Sequence, residues 1–442
     1  MIGPLVCLFL LSFALAWAAF CNGGIATADW SVSLAILGSA SAGYWLFTSR
    51  RHRAPGLKRW VRWPVYALTG YLVFQLIPLP AGLLQILSPA RAALLRSLGP
   101  VMPGMHEAPL SVAPPAALLG VFTLLGCIAA FLLVRELAWR FSSRPWIPLF
   151  PLVFIAALEA SIGMYQVFAA WPSGHATGTY ANYDHFAGLL ETVLPFPVLY
   201  GVAVLRRAKR APDSSTWRAF AACGSWLIAA LLLLAVIYSL SRTGFLVGVA
   251  VLFIIGALSI GPRTPSPGRR WVSLGVLGAM IVLLLIVLPP DQLIERFAMF
   301  SSTEKLSSDT RLFLWKETLS LISEFRWFGC GLGGFESAFL KYQAAAANSS
   351  VGFAHNDYLQ YLAELGIIGF ALLAALLSGI LMQIFRGVLQ LTYENRRLIV
   401  IGCAGAFAAV LLHSLVDFNM CIPANALTLA WIGGIGSMNG LD

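Results

Sequence analysis

The chain has 442 residues, of which 59% are hydrophobic and 11% charged, with a formal net charge of +10. Apolar runs of about twenty residues recur, each long enough to cross ~30 Å of hydrocarbon as a helix, which excludes a soluble globular domain. Lys and Arg crowd into the short loops between those runs, so the positive charge encodes membrane orientation and excludes nucleic acid as the partner.

The expected fold class is an all-α polytopic membrane protein with about twelve spans. They lie at residues 4–21, 28–48, 64–80, 115–134, 146–170, 185–205, 219–239, 243–260, 271–288, 356–385, 398–416 and 422–439. LAWAAF offers small residues near the end of the first span, as a signal peptide would. No basic segment precedes it, however, and a retained helix fits better.

The basic loops set the orientation. Six Lys or Arg between Arg50 and Arg62 fall on one side. With them go Arg135, Arg140 and Arg144, then Arg206, Arg207, Lys209, Arg210 and Arg218, then Arg263, Arg269 and Arg270, and finally Arg386, Arg396 and Arg397, twenty of the 29 in all. The other side holds nine, six of them in the long loop, where seven carboxylates between Asp291 and Glu336 offset them. The positive-inside rule then puts both termini in the cytoplasm of a bacterial inner membrane and the long loop in the periplasm of a Gram-negative host. The expected organisation is nine helices over 1–288, a periplasmic loop over 289–355 and three helices over 356–442.

Smaller features complete the pass along the chain. The Pro-rich strip 81–114, with Arg91 and Arg96, reads as an interfacial amphipathic helix followed by turns, or as a plain connector. In the long loop, Asp309 can cap a helix whose apolar positions Leu312, Trp315, Leu319 and Ile322 recur at helical spacing. The FGCGLGGF run matches GxGxxG at Gly329, Gly331 and Gly334, but no strand-helix-strand unit surrounds it, so a tight turn is the better reading. The seven Cys form no CxxC pair and have no His at zinc spacing. Cys21 and Cys421 fall on the same predicted side, where a disulfide could join them. No internal repeat is visible, nor a matched pair of interrupted spans of the kind that marks inverted-repeat transporters.

Candidate functional residues cluster on the outer side. His355 leads into a helix on which Asp357, Gln360 and Glu364 fall at i, i+3 and i+7, a polar stripe expected to face a cavity together with Asn356. Arg242, in SRTG, occupies a very short outer turn against the positive-inside bias, and its planar fork suits phosphate; it could equally be a snorkelling interfacial Arg. Arg311 sits in the first turn of the loop helix, where the helix dipole disfavours a cation unless an anion binds or Asp309 neutralises it. GTYANYDHFAGLLE brings Asn182, Asp184 and His185 to the start of the sixth span, with Glu191 deeper and Glu159 buried in the span before it. HSLVDFNMCIPANA sets His413, Asp417 and Asn419 at the last outer turn. Several Arg and His without an evident metal site suit binding of a diphosphate without a cation and removal of a hydroxyl proton.

These residues resemble the O-antigen ligase and polymerase superfamily of bacterial membrane glycosyltransferases. The ligase signature, His then Asn, Ser or Gln, nine residues, Gly, two residues and Gly, Thr or Tyr, is met by His355, Asn356, Gly366 and Gly369. SRTG, the DTRLFLWKETL segment with the FGCGLGGF run, GTYANYDHFAGLLE and HSLVDFNMCIPANA extend the similarity from the fifth span to the C-terminus. The resemblance implies a fold of the lipid-linked-sugar glycosyltransferase type, GT-C, with an outer loop over a membrane cavity. It implies an undecaprenyl-diphosphate-linked glycan as donor, inverting transfer to an acceptor hydroxyl, and no metal or other cofactor. It makes Arg242 and Arg311 the diphosphate-binding arginines and His355 the base, with His185 matched by segment only.

The acceptor would be lipid A-core for a ligase, a second lipid-linked glycan for a polymerase, or protein Ser or Thr; the fully met His signature favours the ligase. Some relatives are described as inorganic-carbon transporters, but a carrier needs a midplane ion path, and the polar residues here gather outside. A purely structural envelope partner would tolerate loss of Arg242, Arg311 and His355 together.

Overall fold

The computed structural model describes residues 2–48, 53–169, 174–208, 215–260, 267–287, 291, 293–294, 310–344 and 350–438. Asp309, Arg50, Lys209, Arg210 and Arg263 lie outside the described residues.

A helix forms at each of the twelve predicted spans. The chain runs α1 (Ile2–Phe20), α2 (Thr27–Phe47), α3 (Arg59–Phe74), α4 (Ala81–Leu87), α5 (Pro89–Ser97), α6 (Pro114–Arg140) and α7 (Phe150–Phe168). It continues with α8 (Tyr183–Val193), α9 (Pro195–Ala208), α10 (Ser215–Tyr238), α11 (Arg242–Ile260) and α12 (Pro267–Val287). The loop helices α13 (Thr310–Glu324) and α14 (Phe335–Phe339) follow, then α15 (Asp357–Gln390), α16 (Glu394–His413) and α17 (Pro423–Met438). Five of these begin on proline, whose fixed φ suits a first helical turn and whose missing N–H is no loss there. Among the described residues, eight segments are long and apolar enough to cross a membrane: Gly3–Phe20, Pro114–Arg140, Ile147–Phe168, Tyr183–Arg207, Thr216–Tyr238, Arg242–Ile260, Asp357–Gln390 and Glu394–His413.

Two spans stand at the centre. Tyr183–Arg207 and Glu394–His413 have 78% of their apolar window buried, against half or less for the other six. Helix α17 closes beside them against α6, where Gly433 and Gly434 meet Phe131 and Val134, small residues letting two backbones approach. Strip 81–114 is two short helices tied by an antiparallel ribbon, Leu79 opposite Ala108 and Pro80 opposite Glu107. The seven cysteines are free, so Cys21 and Cys421 are not bridged.

Helix α15 is broken at Gly366, which takes φ 63° and ψ −176°. The polar groups that a break exposes must find partners. Here the glycine-rich turn supplies them: the amides of Cys330 and Gly331 donate to the carbonyls of Ala363 and Glu364, and those of Ile367 and Ile368 donate to Arg326 and Trp327. Tyr71 Oη donates to Leu365 O at 2.5 Å, and Gln75 Nε2 donates to Phe328 O at 2.7 Å. Gly329, Gly331 and Gly333 all have positive φ, so the GxGxxG match is a turn that docks the loop onto a broken helix.

Helix α13 buries a face rotated from the expected one. Of the expected positions, Ile322 is buried and Trp315 half-buried, but Leu312 and Leu319 are exposed, and the inside is completed by Leu314, Thr318, Leu321 and Phe325. The buried face is chosen by Phe335, Phe339 and Ala363, which pack against it and which the spacing within α13 does not reveal.

Candidate functional site

The site forms where the N-terminal end of α15, the start of α8, the turn after α16 and the N-terminus of α13 meet. Asn356 caps α15 by accepting from Leu359 N at 3.0 Å, and its amide donates to Leu415 O at 2.7 Å. His355, just before that cap, has φ 49°, a left-handed conformation uncommon for a side-chain-bearing residue. Its neighbour Ala354 is held on both sides, its amide by Gln360 Oε1 at 2.8 Å and its carbonyl by Trp315 Nε1 at 3.0 Å. Trp315 lies one turn after Arg311, so the same helix face that anchors the His355 segment brings Arg311 to the site.

Asp417 is the hub. Its Oδ1 lies 3.3 Å from His355 Nδ1, and its Oδ2 lies 3.7 Å from His185 Nε2. Burial alone would raise this carboxyl, but the contacts with His355 and His413 outweigh it and hold Asp417 well below the usual carboxylate range. An ionised carboxylate only accepts, so His355 Nδ1 is the donor in this contact, and the neutral imidazole that makes it carries its lone pair on Nε2. Asp417 is 1% exposed and His355 35%, so the carboxylate is enclosed while the imidazole reaches open space.

Phe418 packs against both imidazoles. It stacks on Phe353 with ring centroids 4.1 Å apart and meets His185 at 4.5 Å and His355 at 4.9 Å in T-shaped contacts. Asn182 caps α8 through Asp184 N at 2.8 Å, and its amide nitrogen lies 3.4 Å from His185 Nε2.

The cationic side is organised by Asp184. Its Oδ2 lies 3.5 Å from Arg311 Nη2, and its Oδ1 accepts from Ser241 Oγ at 2.5 Å. Ser241 directly precedes Arg242, the first residue of α11, so both arginine-bearing elements are tied to one carboxylate. Arg311, His185, Asp417 and His355 therefore belong to one contiguous cluster.

The α15 stripe lies deeper. Asp357 accepts from Ser414 Oγ at 2.7 Å and Met420 N at 3.0 Å, which fastens the turn after α16 to α15. Gln360 donates to Glu364 Oε1 at 2.7 Å. Glu364 borders an apolar cavity of about 720 Å³ that passes between α3, α6, α15 and α17, from Gly56 and Arg62 at one end to Phe353, Tyr361 and Met420 at the other. Glu159 is taken up by Thr179, whose amide and hydroxyl donate to it at 2.9 and 2.6 Å.

Sequence reasoning missed the roles of Asp184, Ser241, His413 and Glu191. Glu191 Oε1 and His413 Nδ1 are 2.7 Å apart across 222 positions of sequence. Their only sequence signal was the cost of placing a carboxylate inside a membrane helix, which demands a partner without naming it.

Residues 227–374 match the family model described as O-antigen ligase. This segment includes Arg242, Arg311, His355, Asn356, Asp357, Gln360 and Glu364, whereas Asn182, His185 and Asp417 lie outside it. No curated protein matches the chain.

Proposed function

With its 227–374 segment carrying the O-antigen ligase domain, the chain is a member of the O-antigen ligase and polymerase superfamily, and from that premise we propose that it transfers a glycan from undecaprenyl diphosphate to an acceptor hydroxyl. His355 takes the hydroxyl proton on Nε2 as the oxygen attacks the anomeric carbon. The new glycosidic C–O bond forms while the bond to the diphosphate oxygen breaks, with inversion and without a metal. Arg242 and Arg311 neutralise the leaving diphosphate, each guanidinium offering a fork that spans two oxygens.

The observation that carries this reading is the His355 and Asp417 pair, 3.3 Å apart, in one cluster with Arg311. An imidazole backed by an enclosed carboxylate is the arrangement of a general base, and a nearby arginine is what a departing anion needs. The apolar cavity that ends at Phe353 and Met420 supports a lipid-linked substrate, because its lining would receive hydrocarbon.

The same reading takes the chain to be a GT-C transferase of the bacterial inner membrane. Helices over 1–288 and 356–442 flank the periplasmic loop 289–355, the termini face the cytoplasm and the site faces the periplasm. The acceptor we favour is lipid A-core. A polymerase would use the same donor site with a second lipid-linked glycan.

The test is reconstituted transfer with undecaprenyl-diphosphate glycan in EDTA, offering lipid A-core or a second lipid-linked glycan, for wild type and His355→Ala. Product on lipid A-core that disappears in the variant is the expected result. Longer lipid-linked chains would instead establish a polymerase. No product with either acceptor, or full activity in His355→Ala, would overturn the assignment.

A further inference from the structure

Asp417 has a second neighbour that the transfer step does not use. While Oδ1 faces His355, Oδ2 lies 3.8 Å from His413 Nε2, an ionic contact longer than a hydrogen bond. His413 Nδ1 in turn lies 2.7 Å from Glu191 Oε1, and neither side chain of that pair is exposed at all. Among the described residues, no hydrogen-bond partner reaches His413 Nε2, Glu191 Oε2 or Asp417 Oδ2. One imidazole thus has a carboxylate at each ring nitrogen, and only its doubly protonated form presents an N–H to both. Without that cation two carboxylates would share a sealed space with little to offset them, which is costly.

The other titratable groups around this pair are few. His185 and Asp184 come from α8, Asp357 from α15 and His355 from the segment before it, with Arg311 reaching in through Asp184. Among the described residues, the side chains nearest Asp417 Oδ2 that could carry a positive charge are the imidazoles of His185, at 3.7 Å, and His413, at 3.8 Å.

We infer that His413 and Glu191 are positioning residues: a buried pair at the junction of the two central helices that keeps Asp417 aimed, so that His355 holds its proton on Nδ1 and turns a bare Nε2 to the acceptor. Neither touches substrate. The arrangement extends an acid-imidazole couple by one further imidazole and carboxylate, Glu191 to His413 to Asp417 to His355, with the last member alone opening to the site. It rests on His355 as the base of the proposed transfer.

The sign of its effect follows from charge. Removing the His413 cation leaves the field of Asp417 on His355 uncompensated, which favours the His355 imidazolium and moves the acid limb of the rate profile to higher pH. Glu191→Gln acts in the same direction, because His413 then loses the carboxylate that keeps it charged. A misdirected base costs rate more than binding, so kcat should fall about tenfold or more while KM for the donor stays within about twofold.

The experiment uses full-length protein labelled with ¹⁵N at histidine, in detergent, as wild type, His413→Gln and Glu191→Gln, with His355→Gln assigning the His355 signals. Ring-nitrogen shifts are expected to report the Nδ1–H form of His355 in wild type and a mixture in both variants. Transfer from undecaprenyl-diphosphate glycan is then measured against pH with whichever acceptor supports it. An unchanged His355 tautomer in a folded variant, or unchanged kcat and acid limb, overturns the inference while leaving the transferase reading intact. Absence of wild-type transfer overturns the transferase reading instead, and the tautomer measurement still decides the positioning role. Glu191→Gln preserves size and shape and carries the test where His413→Gln does not fold.

Discussion

Arg311 Nη2 and Asp184 Oδ2 are 3.5 Å apart, and this contact joins the loop helix to the central helix pair. Asp184 is held from its other side by Ser241, so the loop, α8 and the start of α11 meet at one carboxylate. A partly exposed ion pair of this kind is worth up to about 1 kcal/mol, and its value here is orientation of the guanidinium. Asp184→Asn should raise KM for the lipid-linked donor about fivefold and leave the melting temperature nearly unchanged. Steady-state kinetics and a melt on one preparation check both halves, and tighter donor binding would mean that Asp184 competes with the diphosphate.

Gly366 and Gly369 of the ligase signature have packing reasons. A Cβ on Gly366 would enter the carbonyl of Trp327 and the amide of Gly329 in a left-handed conformation, and one on Gly369 would meet the Tyr71 ring. Backbone cannot yield as a side chain can, so Gly366→Ala should cost about 1–3 kcal/mol and Gly369→Ala less. Gly352, with nothing within 4 Å, is the control and should tolerate Ala. Thermal unfolding in detergent ranks the three, and an unaffected Gly366→Ala would refute the docking of the loop on the broken helix.

How much of this was readable beforehand depends on range. Each predicted span coincides with a helix because an apolar run and its proline or polar edge are local facts. His355, Arg242 and Arg311 drew attention because each breaks a local expectation of membrane sequence. What was illegible is pairing across the chain: Glu191 with His413, or Asp184 with Arg311, depends on which helices neighbour one another. The α13 face failed for the same reason, since Phe335 and Phe339 decide which side is buried. The break at Gly366 was hidden too, because a glycine in an apolar run reads equally as a packing site.

Asp417 offers a pH test of stability. Its folded carboxyl is depressed by the surrounding imidazoles against the opposing effect of burial. A depressed group contributes stability that is fully present above its unfolded value of ~3.9 and is lost as pH falls through the lower folded value. Asp417→Asn should therefore be less stable than wild type by about 3 kcal/mol at both pH 7 and pH 5, with the gap narrowing only below about pH 4. Melts at pH 7, 5 and 3.5 decide it, and a gap that already shrinks between 7 and 5 would mean that Asp417 is not held ionised.

The two arginines separate charge from geometry. Lysine preserves the positive charge at Arg242 or Arg311 but replaces a planar fork with a single ammonium, which cannot span two oxygens of a diphosphate. If the forks carry the leaving-group charge, Arg311→Lys and Arg242→Lys should each lower kcat/KM for the donor about tenfold, and alanine about 10²-fold or more, the scale seen when one preorganised donor to a developing oxyanion is removed. Activity in EDTA is the companion measurement, because a metal on the diphosphate would make the arginines partly redundant. Lysine variants as active as wild type, or a wild type silenced by EDTA and restored by a divalent cation, would move the charge of the leaving group from these side chains to an ion. Loss on lysine substitution together with full activity in EDTA leaves the guanidinium geometry as the source of catalysis at the donor end.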